Sequence, residues 1–226
     1  MDFQELHAWD VDQPEAIVIQ NKLRRQIQIR QLDKVVEKIG GIDIAFDQKS
    51  NLLIAGVCVF SYPRLRLIEQ KTGSAMASFP YVPGLQAFRE GSVVLKAFRE
   101  LETSPDLIIY SGHGIAHPRK FGLASHMGLI TGIPSIGCAR KKLVGVFHDP
   151  GIRRGSYSDL LYDNVPVGIV YRSREEFNPI FISPGHLCDI NGAREIVARC
   201  VSRYRMPEPL RAAHRLAGKR KRNHNF

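Results

Sequence analysis

Long apolar runs are missing: nothing in the 226 residues approaches the roughly 20 consecutive apolar positions that a membrane-crossing helix needs, so no membrane partner is expected. The opening Met1-Asp-Phe-Gln-Glu5 lacks the positive-then-apolar character of a signal peptide, which points to a cytoplasmic chain. Cysteine is scarce. Cys58, Cys138, Cys188 and Cys200 lie far apart and form no C-x-x-C pair, which argues against a disulfide framework or a structural zinc site. Cys58 and Cys138 fall in apolar runs, so buried free thiols in a reducing compartment are expected. There is no internal repeat and no linker. Negative charge is also short, with 22 Asp and Glu against 32 Lys and Arg, a net charge of +10. That balance suits a polyanionic partner, nucleic acid first, with a generically basic surface as the bland alternative. Lys219-Arg-Lys-Arg222 carries four of those charges and reads as a mobile basic tail, 218–226, behind a single domain of 1–217.

Hydrophobic content of 44% and charged content of 24% fit a globular domain with a real core. Residues from about 14 to 34 place Ile19, Leu23 and Ile27 at helical spacing before Gly40-Gly41 breaks the pattern. Ile42-Asp-Ile-Ala-Phe-Asp47 alternates as a strand. Further strands near 52–60 and 65–70 complete an antiparallel meander. Helices are predicted over 85–102 and 122–130, and strands at 106–110, 133–137, 144–147, 165–171 and 179–183. Asp189 is placed to cap a helix carrying Ile196, Val197 and Cys200, and Pro207 and Pro209 end it before a short segment around His214. A meander followed by alternating helices and strands makes an α/β domain with a mixed sheet.

Several polar residues stand where core is expected. Asp43 interrupts the first strand, and a carboxylate there needs a metal or donors to compensate its burial. Asp47 shares its face but lies roughly 13 Å along the strand, too far to chelate the same ion, and reads as a turn residue. Glu90 shares a helical face with Val94, Ala97 and Leu101. It is either a site carboxylate aimed at the sheet or a charge placed to suit the helix dipole. His214 shares a face with Leu210, Ala213 and Ala217, so its imidazole is directed inward or is simply a satisfied histidine. Tyr81, in Pro80-Tyr-Val-Pro83, is a buried turn aromatic or a wedge presented on a stiffened loop.

Ser111, after the apolar Leu107–Tyr110, admits three readings. A serine nucleophile in a G-x-S-x-G elbow is excluded by Ile109, which stands where the first glycine belongs. A zinc pair from His113 and His117 needs a helix that Gly114 and Pro118 oppose. The charge balance favours a glycine-rich turn that brings backbone amides, His117 and Arg119 to a phosphate.

Taken in order, Gly41-Ile-Asp-Ile-Ala-Phe46, Pro80-Tyr-Val-Pro-Gly84 with Phe88-Arg-Glu90, and Gly112-His-Gly-Ile-Ala-His-Pro-Arg119 resemble the endonuclease V family. So do Gly122-Leu-Ala-Ser-His126, Ile136-Gly-Cys-Ala-Arg-Lys141 and Arg205-Met-Pro-Glu-Pro209 leading to His214. The resemblance implies a ribonuclease-H-like single domain, a mixed sheet with flanking helices. It implies a monomer with a Mg²⁺-dependent activity, Mn²⁺ substituting, that cuts the second phosphodiester bond 3′ to deoxyinosine in DNA or inosine in RNA. By the same resemblance Asp43 is a metal ligand, Glu90 holds a metal-bound or nucleophilic water, and His214 orients that water or the metal shell. Tyr81, between Pro80 and Pro83, would fill the gap left by an everted base. Backbone around Gly84, Gly112 and His117 would line the hypoxanthine pocket.

Two positions depart from the family pattern. Ser111 stands where the family has a metal-binding aspartate in Asp-Gly-His-Gly, leaving a neutral hydroxyl in place of a carboxylate. Arg140 stands where a lysine is usual, and Arg140 or Lys141 would contact phosphate. The resemblance therefore implies an endonuclease of altered efficiency, or alternatively a protein that recognises inosine and cuts weakly or not at all.

Overall fold

The structure, a computed structural model, describes residues 3–224. Its frame is one eight-stranded sheet in the order β3-β2-β1-β4-β5-β8-β7-β6. The strands are β1 (Lys38–Asp47), β2 (Leu52–Ser61), β3 (Leu67–Met76), β4 (Leu107–Ser111), β5 (Ser135–Ala139), β6 (Tyr157–Tyr162), β7 (Val165–Tyr171) and β8 (Ile180–His186). β1, β4 and β5 run parallel, and the remaining neighbours are antiparallel. The mixed α/β sheet expected from the sequence is what forms.

Both faces are covered, which is why β4 is apolar on both sides. Ile108 and Tyr110 pack with α2 (Gln86–Arg99) and α3 (Leu123–Thr131), while Leu107 and Ile109 pack with α4 (Ile190–Cys200) and α5 (Glu208–His224). α1 (Gln13–Leu23) opens on Asp12, whose side chain accepts from the Glu15 amide while Glu15 returns the bond to the Asp12 amide. α4 opens on Asp189, as its capping position predicts. The α5 backbone lies directly on β1: a Cβ on Gly41 would stand 2.3 Å from the carbonyl carbon of Pro209. All four cysteines are buried free thiols. None of the described helices is long and apolar enough to cross a membrane.

Four expectations are corrected. The first helix stops at Leu23, passes through a 3₁₀ turn at Arg24–Gln26 and continues extended. Val144–Phe147 is no strand, because Val146 makes a single bridge to Leu161 and the strand β6 lies further on. The segment around His214 is a 17-residue helix, and Pro209 sits in its first turn, where a missing amide costs nothing. That helix continues through the basic run to His224, so the run is helical and no break falls at 217. Residues 225 and 226 of the expected tail lie outside the described residues.

Candidate active site

The register sets the site. Ile42 of β1 pairs with Tyr110 of β4, so the next residues, Asp43 and Ser111, lie side by side on the face toward α5. Ser111 pairs in turn with Cys138 of β5, and Arg140 follows just past that strand's end. Open α/β sheets bind ligands outside the carboxyl ends of such parallel strands. Asp43 is mostly enclosed, and its Oδ2 lies 2.6 Å from Nδ1 of His214 on α5. Of the two orientations open to it, His214 takes that of an exposed histidine satisfied by its bond to Asp43. A cleft of about 190 Å³ is walled by Asp43, Ser111, Arg140, Arg211, His214 and Arg215.

Glu90 is carried by α2 on the opposite face of the sheet, near enough for the charge of Asp43 to act on it. Burial pushes its carboxyl up to about 7, the negative charge of Asp43 adds to the rise, and a 2.9 Å hydrogen bond from Gln86 Nε2 opposes it. Asp43 beside the Ser111 hydroxyl is an all-oxygen donor set. Such a set suits a hard divalent cation. It is a lean one: among the described residues no three His, Cys, Asp or Glu side chains gather to hold a metal. Asp106 is no replacement for the missing carboxylate, because it accepts the Glu37 and Lys38 amides at the far end of β4. Asp47 is a turn residue as expected, accepting from Ser50.

A second, larger cavity of about 550 Å³ adjoins the cleft and shares Ser111 and Arg140 with it. Tyr81, Pro83, Gly84, Gly112, His117 and Lys141 are in its wall. Tyr81 is 74% exposed, so it is not a buried turn aromatic. Pro80 is exposed beside it. His113 turns its Nε2 to the Lys141 carbonyl rather than to Ser111, and no serine–histidine pair exists here. His117 donates to the Gly84 carbonyl at 2.9 Å, and so does Arg119 through Nη2. Both brace the Pro80–Gly84 loop through that carbonyl. Burial pulls the His117 imidazole down to about 4, so it acts here as a neutral donor. Gly84 has φ +83°, and a Cβ there would meet Arg119 Nη2 at 2.9 Å, so glycine is required.

Three contributors were missed in the sequence. Gln20 of α1 gives the Gly84 carbonyl a third donor at 3.0 Å and also bonds Arg119 Nε. Gln86 lines the larger cavity while holding Glu90. Arg205 donates to the Arg140 and Pro179 carbonyls, each at 2.8 Å, and so fixes where Arg140 starts. Gln20 is a buried polar residue at helical spacing with Ala16 and Leu23, and Arg205 heads the Arg205–Pro209 motif, while Gln86 leaves no trace in the pattern.

The sequence profile of the family described as Endonuclease V matches residues 21–215. The endonuclease V of Methanothrix thermoacetophila is 41% identical over 222 residues, 98% of either chain. The crystal structure of endonuclease V from Streptomyces avermitilis superposes with a TM-score of 0.91 at 35% identity, covering 97% of both chains. That of Ciona intestinalis, in complex with a 24mer DNA containing an inosine followed by a ribo-adenosine, gives a TM-score of 0.82 at 25% identity, over 93% of this chain and 98% of that one.

Proposed function

The chain belongs to the endonuclease V family, and on that premise we propose that Asp43, Ser111 and Glu90 form the metal site of an endonuclease that cuts beside a deaminated purine, with Mg²⁺ as the ion and Mn²⁺ as its substitute. The protein is a metal-dependent nuclease that binds nucleic acid and acts on deaminated purines. The carrying observation is adjacency: the Asp43–His214 pair stands in a cleft that opens into a cavity large enough for an everted base.

In this reading the base enters the larger cavity against backbone at Gly84 and Gly112, and the exposed Tyr81 fills the space it leaves. Pro80 and Pro83 hold that tyrosine forward, and His117 and Arg119 lock the loop through the Gly84 carbonyl. Asp43 would take the ion directly, Ser111 would offer its hydroxyl, and Glu90 would act through a water. When bound, the ion lowers the pKa of the attacking water and neutralises charge gathering on the phosphate. Glu90 accepts a hydrogen bond from that water, with Gln86 fixing the carboxylate, and His214 orients it from above Asp43. Arg140 and Lys141 meet the phosphate from the end of β5 with a charge that is already in position. The substrate is deoxyinosine in DNA, with inosine in RNA as a second one, and the bond is the second phosphodiester 3′ to the lesion. The protein acts as a cytoplasmic monomer.

Ser111 favours one further reading. A neutral hydroxyl beside Asp43 holds a divalent ion less tightly than a carboxylate, which suits a protein that recognises inosine and cuts slowly or not at all. A labelled inosine strand incubated with Mg²⁺ or Mn²⁺, with the wild type beside Ser111→Asp, separates the two. Inosine-directed cutting by the wild type supports the nuclease. Inosine-selective binding without cutting, rescued by Ser111→Asp, leaves the binder. No preference for inosine in either protein removes both.

A further inference from the structure

Helix α5 does more than deliver His214. From residue 209 to 224 it has six Lys and Arg and no Asp or Glu. Leu210, Ala213 and Ala217 are buried against the sheet, which fixes the opposite face outward. On that outward face Arg215, Gly218 and Arg222 fall at i, i+3 and i+7, with Lys219 beside them, while Arg211 is mostly enclosed against Tyr204. Arg211 and Arg215 already wall the catalytic cleft. Glu208 offsets both of them, Arg215 at 3.5 Å. Beyond that point no salt bridge to Lys219 or Arg222 forms among the described residues, and both are exposed.

Gly218 sits in the middle of this stripe without a packing reason. A Cβ there would meet nothing nearer than Arg222 Nη1 at 4.0 Å, and its φ is an ordinary helical one. Glycine weakens a helix interior relative to alanine. What it does offer is a low point on the surface between two arginines, where another backbone can come close.

We propose that the outward face of α5 is a phosphate track, which carries the backbone of the nucleic-acid strand away from the catalytic cleft. Charge complementarity commits the occupant: a face that starts at the cleft and carries Lys219 and Arg222 with no acidic residue after Glu208 fits a polyanion threaded through that cleft. From Arg215 to Arg222 the helix rises about 10 Å, which matches about three nucleotides at about 3.4 Å each. The track rests on the nuclease reading for its starting point, and its own contribution is affinity without base selectivity.

The test is binding of the full chain to a labelled inosine strand by fluorescence anisotropy, in chelator so that nothing is cut, across a salt series. Lys219→Gln with Arg222→Gln removes two charges with helix-favouring residues. The slope of log affinity against log salt is expected to shrink by about 1.4, and affinity near roughly 0.1 M salt to fall up to about 25-fold. The preference for inosine over a plain strand stays unchanged. Strands shortened to two nucleotides beyond the cleft on the α5 side bind wild type and variant alike. Gly218→Glu, which strengthens the helix but puts a negative charge on the stripe, weakens long strands too. An unchanged salt slope in both variants overturns the track, as does an equal loss on short and long strands. A loss confined to phosphatidylserine vesicles, with strand binding intact, would assign the face to a membrane surface and overturn it as well. If wild type shows no inosine preference, the nuclease reading fails, while the slopes still decide the track.

Discussion

Restoring a carboxylate at position 111 should make the protein depend on a divalent ion for its stability. Asp43 and Ser111 occupy neighbouring strands, whose spacing is about 4.8 Å, and both wall the same cleft. Two carboxylates at that separation, with an effective dielectric constant of about 20, repel by about 3 kcal/mol. The cleft is open to water on one side, so screening brings the cost down to about 2 kcal/mol. A chain of this size loses roughly 2–4 °C in Tm per kcal/mol, so Ser111→Asp in chelator should melt about 4–8 °C below wild type. Millimolar MgCl₂ should then close the gap, because an ion present at about 100 times its Kd stabilises the folded state by about 2.7 kcal/mol. Wild type, with its hydroxyl, should respond to the same Mg²⁺ by a smaller shift. The assay is a melting series of both proteins with and without Mg²⁺, and it needs no cleavage. Equal melting in chelator would mean that positions 43 and 111 do not share a site. An equal Mg²⁺ response in the two proteins would mean that the ion binds elsewhere.

Gln86→Leu keeps the cavity wall but removes the donor to Glu90; the lost bond to a charged group, about 1.5–3 kcal/mol, should lower the single-turnover rate at saturating inosine strand roughly 10- to 100-fold. An unchanged rate would show that Glu90 is held by other means. The His117 imidazole, pulled by burial to about 4 against about 6.5 unfolded, contributes stability that is intact above the unfolded value and lost as pH falls toward 4. About 2 kcal/mol of it should be gone at pH 5, and His117→Gln, which still donates to Gly84 but does not titrate, should lose less Tm between pH 8 and pH 5. Identical acid sensitivity would point to other groups. Tyr81→Ala should leave Tm nearly unchanged, given its exposure, while reducing inosine selectivity more than binding to plain strands; equal losses on both strands would count against a wedge.

Much of the scaffold was legible because it rests on local rules. The alternation around Asp43, the apolar run before Ser111 and the cap at Asp189 each follow from a period or a single side chain. Asp43 and Glu90 stand out as carboxylates in apolar surroundings; Asp43 is in the cleft wall, and Glu90 is carried on the other face of the sheet. The misses depend on distance along the chain. β6 has a weak pattern, since it is an edge strand with one exposed face. The length of α5 was hidden by Pro207 and Pro209, which read as an ending although Pro209 belongs to a first turn. The bonds of His117 and Arg119 to Gly84, more than thirty residues away, cannot be seen in a linear reading. Gln86 was invisible for a similar reason: a polar residue at a helix start is unremarked until a carboxylate and a cavity are found on either side of it.

The pairing of Asp43 with His214 spans 171 positions of the chain. On the ribosome the strand bearing Asp43 emerges early, and the helix bearing His214 is made after every other described element. Until α5 arrives, Gly41 and Gly56 leave an uncovered groove across β1 and β2, and the cleft lacks its histidine and two of its arginines. A partly made chain thus has the larger cavity but only part of the cleft beside it. The cleft is completed only when this last described helix docks.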